Sequence, residues 1–211
     1  MPKLGMAAIR RRQLVDATIK SIHAYGFHNT TIQTIGQAAG LSPGIIHHYF
    51  GGKDELLAAT MRSLLDELRD DHLARLHAAN GPAERIDAML VANFDPKQFR
   101  PDILAAWLAF WAQAPFFPLL RRLRQIYTRR TLTNLRVGLR ALVPADRVEP
   151  IALTLMAQID GFWLRAAQGD ADVTAERALA SVRQTIADAV PAGRPEPTAH
   201  ATPPLKKALN P

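Results

Sequence analysis

Residues 30–50 read TTIQTIGQAAGLSPGIIHHYF, and the order of apolar, capping and turn residues in this stretch decides the fold. Thr30 and Gln33 have the S/T-x-x-Q spacing of a capping box, so a helix begins after Thr30, and Gly40 stops it. Ser42 is placed to cap a second, very short helix with Pro43 at its first position, where the missing N–H is no loss. Two short helices joined by a tight Gly-Leu-Ser turn have the layout of a helix-turn-helix. Ile35, Ala39, Leu41, Ile46 and Phe50 are spaced to form the small core between them, and Ala38 and Ala39 permit a close approach.

What the second helix leaves outward is Pro43, Gly44, His47, His48 and, at its end, Tyr49. These are short or hydrogen-bonding groups, as a helix seated in the major groove of double-stranded DNA requires, and backbone N–H groups at its start can hold phosphate. Lys53 follows as a point charge for a backbone phosphate. Thr31, Gln33 and Ser42 complete the predicted DNA-facing set. A hairpin packed for stability alone has the same spacing, and Tyr49 also fits a position packed over the first helix. The exposed His47, His48, Tyr49 and Lys53, together with a basic N-terminus, favour the DNA reading.

Outward from this motif, helical spacing continues almost everywhere and no segment sustains the alternation of a strand, so the chain is all-α. Val15, Ile19 and Ile22 place a first helix over residues 8–26, ended by Gly26. Asp54 and Glu55 sit near the positive end of a long fourth helix, 53 to about 77, with the stripe Leu57, Met61, Leu64 and Leu68. Segments 83–93, 102–113, 117–142, 147–168 and 173–190 follow, separated by Pro or Gly, for about nine helices. The expected division is a DNA-binding domain over 1–52, a ligand-binding and dimerisation domain over 53–190, and a disordered Pro-rich tail over 191–211.

The 211 residues carry a formal charge of +7, of which +3 falls in the first 60, with Lys3, Arg10, Arg11 and Arg12 bunched at the start. That balance fits an anionic partner. The chain has no cysteine, which excludes disulfides, thiolate metal sites and thiol nucleophiles. Its start, MPKLGMAAIRRRQL, lacks an apolar signal core, so a cytoplasmic location is expected. Ile103 to Leu120 is uncharged and just long enough to span a bilayer, but Gln113, Pro115 and Pro118 interrupt it. The expected structure is a buried helix stopping near Ala114, then a proline turn, with no membrane partner.

The run T-x-x-x-I-x-x-x-A-G-x-S-x-G-x-x-x-x-Y-F-x-x-K-x-x-L, here Thr31 to Leu56, resembles the DNA-binding domain of TetR-type repressors. Gly36 stands where these repressors usually have Ala, which predicts a slightly weaker helix, and Gly51-Gly52 replaces a more usual polar pair. MPKLGM, IRRRQL, GII-x-HYF, AWLAFWA and DGFWLRAA are similar to the choline-responsive members of that family. The resemblance implies a homodimeric repressor of choline uptake and glycine betaine synthesis genes, an inverted-repeat operator, and choline or a related quaternary ammonium as effector. A different hydrophobic or cationic effector, as in multidrug efflux regulators, is the alternative it leaves open.

Such a regulator needs a pocket, and the candidates are aromatic. Trp107 and Trp111 lie one helical turn apart, and Phe110, Tyr127 and Trp163 come from segments able to converge on them. A quaternary ammonium has no N–H to donate and is recognised by ring faces helped by a carboxylate, for which Asp160, three residues before Trp163, is placed. Asn93 and Phe94 are positioned to complete the box. The same spacing serves an ordinary core, and Asp160 can instead pair with Arg165. Leu153, Met156 and Ala157 on one late helix and Leu179, Val182 and Ile186 on the next supply apolar faces for a four-helix dimer interface or for packing within one chain.

An enzyme needs parts the sequence lacks. None of Ser21, Ser42, Ser63 and Ser181 lies in G-x-S-x-G, no H-E-x-x-H occurs, and no phosphate-binding glycine loop is present. Adjacent His47 and His48 point about a hundred degrees apart on a helix, and His72 and His77 are five residues apart, so neither pair has metal-ligand spacing. No catalytic residue, metal or cofactor is expected.

Overall fold

The computed structural model describes residues 3–190, and the Pro-rich tail expected over 191–211 lies outside them. Nine helices and no strand make up the described residues: α1 (Lys3–Asn29), α2 (Ile32–Ala39), α3 (Gly44–Phe50), α4 (Lys53–Ala78), α5 (Pro82–Asn93), α6 (Pro101–Gln113), α7 (Pro118–Leu139), α8 (Ala145–Ala167) and α9 (Ala175–Ala189). The first helix begins earlier than its apolar stripe required, and it breaks at Gly26, whose φ of 74° is left-handed.

The cap of α2 falls one residue later than expected. Thr31, not Thr30, is the N-cap: its hydroxyl accepts from the Thr34 N–H at 3.1 Å, while the Thr31 N–H donates to Thr34 Oγ1 at 2.9 Å. Thr30 is fully buried, and its hydroxyl donates to the Gly26 carbonyl at 2.8 Å, which sews the end of α1 to the start of α2. Ser42 does not cap α3. Pro43 already has helical dihedrals and is itself the N-cap, without a side-chain bond. Gly36 has a packing role that the comparison with alanine missed: a Cβ there would stand 3.0 Å from the Leu41 carbonyl, so the turn folds directly over this residue.

Ile35, Ala39 and Ile46 are buried in one continuous core with Leu14, Ile22, Leu57, Met61 and Leu64, so α1 and α4 carry the small motif. Ion pairs fasten the same elements at the surface. Arg12 joins Asp16 at 2.9 Å and Glu67 on α4 at 2.6 Å, so one of the N-terminal arginines is engaged within the chain. At the far end of α4, Arg75 joins Asp95, beyond α5, at 2.6 Å.

The uncharged stretch behaves as expected. Ile103, Leu104, Ala106, Trp107 and Phe110 are buried on α6, which stops at Gln113, and α7 departs at 113° to it. Among the described residues no single helix is long and apolar enough to cross a membrane. Of the two packings open to the late helices, most of the named residues take the one within the chain. Met156 and Val182 are buried within the chain, and Leu179 and Ile186 pack against the same core, because α8 and α9 cover each other. Leu153 and Leu164 remain exposed on α8.

His72 lies on the buried side of α4, where desolvation and then Arg85 lower its pKa below the usual 6.5. The folded protein therefore holds it neutral, and the unfolded chain binds the extra proton first as pH falls. Stability should be full above 6.5 and decline as pH drops below it. Urea unfolding at stepped pH should show that decline lessened in His72→Leu; an identical pH profile in the variant would contradict it.

Candidate functional site

Most of the residues read as outward on the helix-turn-helix are exposed. Ser42, Pro43, Gly44, His47 and His48 are exposed on or beside α3, with Thr31 and Gln33 exposed at the start of α2. Ile46 points the other way and is fully buried. Tyr49 has a foot in both of its readings: it is half-buried against the core, and its ring meets His48 edge-on at 4.8 Å. His47 Nδ1 lies 3.1 Å from the Gly51 carbonyl. A carbonyl only accepts, so Nδ1 carries the hydrogen, and in the neutral ring Nε2 is left as an acceptor. The Lys53 ammonium sits 5.7 Å from the Phe27 ring centre at the mouth of α4, and Arg11 lies 5.1 Å over Phe50.

The aromatic residues of α6, α7 and α8 converge. Trp107 is 6.2 Å from Trp111, 6.0 Å from Tyr127 and 5.3 Å from Trp163, while Trp111 and Trp163 stack at 5.8 Å with an interplanar angle of 14°. Asn93, at the end of α5, holds two of these rings: its carbonyl accepts from Trp163 Nε1 at 3.0 Å, and its Oδ1 accepts from the Tyr127 hydroxyl at 3.1 Å. Its own amide donates to the Met89 carbonyl at 2.9 Å. Asn93 thus frames the box rather than lining it. Phe94 pairs with Phe99 and Phe162 instead, and Phe110 is fully buried outside the four-ring cluster.

Asp160 does not pair with Arg165. Arg165 pairs with Asp170 at 2.6 Å, and Asp160 accepts from Arg124 of α7, also at 2.6 Å. The Arg124 guanidinium carbon stands 4.5 Å from the Trp111 ring centre and 5.3 Å from that of Tyr127. A cation therefore already lies on the ring faces. Burial pushes the Asp160 carboxyl above its usual range against the opposing pull of Arg124, and burial together with the Asp160 charge pushes the Tyr127 phenol far up, so it stays a donor. Four polar atoms around the box have no hydrogen-bond partner among the described residues: Trp107 Nε1, Trp111 Nε1, Arg124 Nη1 and Asp160 Oδ1.

Arg124 is the residue that sequence reasoning missed. Its signal was present: Leu120, Tyr127, Thr131 and Leu135 form the buried stripe of α7, and Arg124 falls on that stripe by spacing. The surface clefts of about 520 and 470 Å³ are lined by other residues.

Removing the Asn93 side chain leaves the buried Tyr127 hydroxyl without its acceptor, so Asn93→Ala should cost about 1–3 kcal/mol. Adding Tyr127→Phe should return part of that loss. A double-variant cycle by denaturant unfolding checks this, and strict additivity would contradict the bond's role.

Two family models match the chain: "Bacterial regulatory proteins, tetR family" over residues 14–60, and "BetI-type transcriptional repressor, C-terminal" over residues 82–191. The chain is 47% identical over 180 residues to the HTH-type transcriptional regulator BetI of Rhizobium meliloti (strain 1021), covering 85% of this chain and 89% of that one. It is 46% identical over 193 residues to BetI of Escherichia coli (strain K12), covering 90% and 99%. In fold it is similar to a TetR transcription regulator from Haloarcula marismortui, with a TM-score of 0.76 at 22% identity over 87% of this chain and all of that one. It is also similar to a transcriptional regulator from Saccharomonospora viridis in complex with choline, with a TM-score of 0.73 at 21% identity over 87% and 98%. The chain belongs to the tetR family of bacterial transcriptional regulators, with a C-terminal half of the BetI repressor type, and is not an enzyme.

Proposed function

We propose that the protein is a cytoplasmic repressor that reads an inverted-repeat operator as a homodimer and responds to choline or a related trimethylammonium compound bound in the aromatic box. The genes it controls are then those of choline uptake and glycine betaine synthesis. The observation that carries the effector assignment is the box itself: a cluster of three tryptophans and a tyrosine in which the Trp111 and Tyr127 rings already carry a cation, with Asp160 as counter-charge. A quaternary ammonium on such faces gains about 1–2 kcal/mol per well-placed ring when desolvated. The choline-bound neighbour of the same fold supports the reading.

In this account residues 1–52 read DNA and residues 53–190 bind the effector and the second subunit. Pro43, Gly44, His47, His48 and Tyr49 face the major groove, with Thr31, Gln33, Ser42 and Lys53 at the backbone. The His47 acceptor suits the amino edges of adenine and cytosine. The dimer surface is the exposed side of α8, where Leu153, Ala157, Gly161 and Leu164 recur at helical spacing, together with the outer side of α9. Pairing with a twofold copy buries these leucines in a four-helix interface. Because α4 runs from the DNA motif to the level of Asp95, an effector that prefers one tilt of it changes the spacing of the two α3 helices. Only differential affinity for the two arrangements does this.

Selection from random DNA should return an inverted repeat whose half-sites are about 34 Å apart. Lys53→Ala should weaken binding to every sequence and lower the salt slope by about one, while His47→Ala should change base preference. Variants that bind like the parent would place the DNA surface elsewhere. Calorimetry should detect choline binding in the full chain, weakened in Trp163→Phe and Asp160→Asn; no binding at millimolar choline, or equal binding by both variants, would reject the box.

A further inference from the structure

The most unusual group in the box is the one that fills it. The Arg124 guanidinium lies 4.5 Å from the Trp111 ring centre, near Tyr127, and 2.6 Å from Asp160, so it makes the two contacts a quaternary ammonium would make: ring face and carboxylate. We propose that Arg124 is a resident cation that competes with the effector, so that effector binding is an exchange of one cation for another on the same rings and the same carboxylate. This rests on the reading of the box as the effector site.

Three features support exchange over cohabitation. Two positive charges on one pair of faces repel and compete for the same rings and the same carboxylate, so the guanidinium and an ammonium do not share the site. Within the chain the pair is joined by one hydrogen bond, and Arg124 Nη1 and Asp160 Oδ1 have no partner among the described residues, so few contacts tie the guanidinium to the carboxylate. Finally, Arg124 has a route out: its side chain is 23% exposed, and its flexible stem lets the head reach water while the stem stays on the helix. After exchange the box keeps one cation facing Asp160, and its charge is unchanged.

The exchange also defines specificity. A neutral isostere of choline such as 3,3-dimethylbutan-1-ol fits the same volume but leaves Asp160 buried without a counter-charge, so it should fail to displace Arg124. The open box is a minority state in the wild type, and the apparent affinity for choline is reduced by the fraction of molecules in which Arg124 has left. Removing the competitor removes that penalty.

The test is choline binding to the full chain, by calorimetry and tryptophan fluorescence, in the wild type, Arg124→Ala, Arg124→Gln and Arg124→Lys. If one molecule in ten is open in the wild type, Arg124→Ala and Arg124→Gln should bind choline about tenfold more tightly. Arg124→Lys, which keeps a cation on the same stem, should stay near the wild type, and 3,3-dimethylbutan-1-ol should not bind the wild type. Arg124→Gln keeps length and polarity, so it reports even if Arg124→Ala folds poorly. Wild-type binding with equal or weaker binding in both neutral variants would overturn the exchange and leave the effector site standing. Absence of choline binding in every protein would overturn both.

Discussion

Arg124 and Asp160 are drawn partly out of water, their side chains 23% and 30% exposed, and the contacts gathered around the two charges offset the cost of desolvating them. One 2.6 Å ion pair and two ring faces do part of it. Those faces belong to Trp111 of α6 and Tyr127 of α7, and they are held in place by ring contacts with Trp107 of α6 and Trp163 of α8. Asn93 then fixes the result, because a single residue at the end of α5 accepts from both the Trp163 and the Tyr127 donors.

The same residue places the box within reach of the DNA-reading half. Asp95, two residues past Asn93, takes the guanidinium of Arg75 near the C-terminal end of α4, and Arg75 is also braced by Asp71 at 2.7 Å. The other end of α4 enters the helix-turn-helix directly, and Arg12 ties α1 to its middle through Glu67. A rearrangement of the rings that moved Asn93 would therefore bear on a helix packed on the motif that carries His47 and His48. The individual surface ion pairs contribute little stability, and their effect is geometric.

Much of this was legible in the sequence, and the parts that were not have specific causes. Helix existence, the turn at Gly40, the interruption of the apolar stretch near Ala114 and the adjacency of Trp107 and Trp111 followed from spacing, whereas which of Phe110, Tyr127 and Trp163 would meet them did not. The cap at Thr31 was displaced by one residue because Thr30 and Thr31 carry the same hydroxyl, and only the chain path shows which one is needed at Gly26. Asn93 read as a lining residue because its spacing does not reveal that its carbonyl and side chain are already used. Met156 and Val182 could be read as interface or as core residues because an apolar face looks the same whether its partner is in the same chain or another. Arg124 was hidden among the arginines of α7, and it stands out only once Leu120, Tyr127, Thr131 and Leu135 are seen to define the buried side.

Whether Arg124 fills the cation site of Trp111, Tyr127 and Asp160 only until an effector arrives is decided by a crystal structure of the full chain with choline. The trimethylammonium group should lie on the faces of Trp111 and Tyr127 beside Asp160, with the Arg124 guanidinium moved off the ring and no longer bonded to the carboxylate. Choline bound elsewhere, with Arg124 still over Trp111 and paired to Asp160, would contradict it.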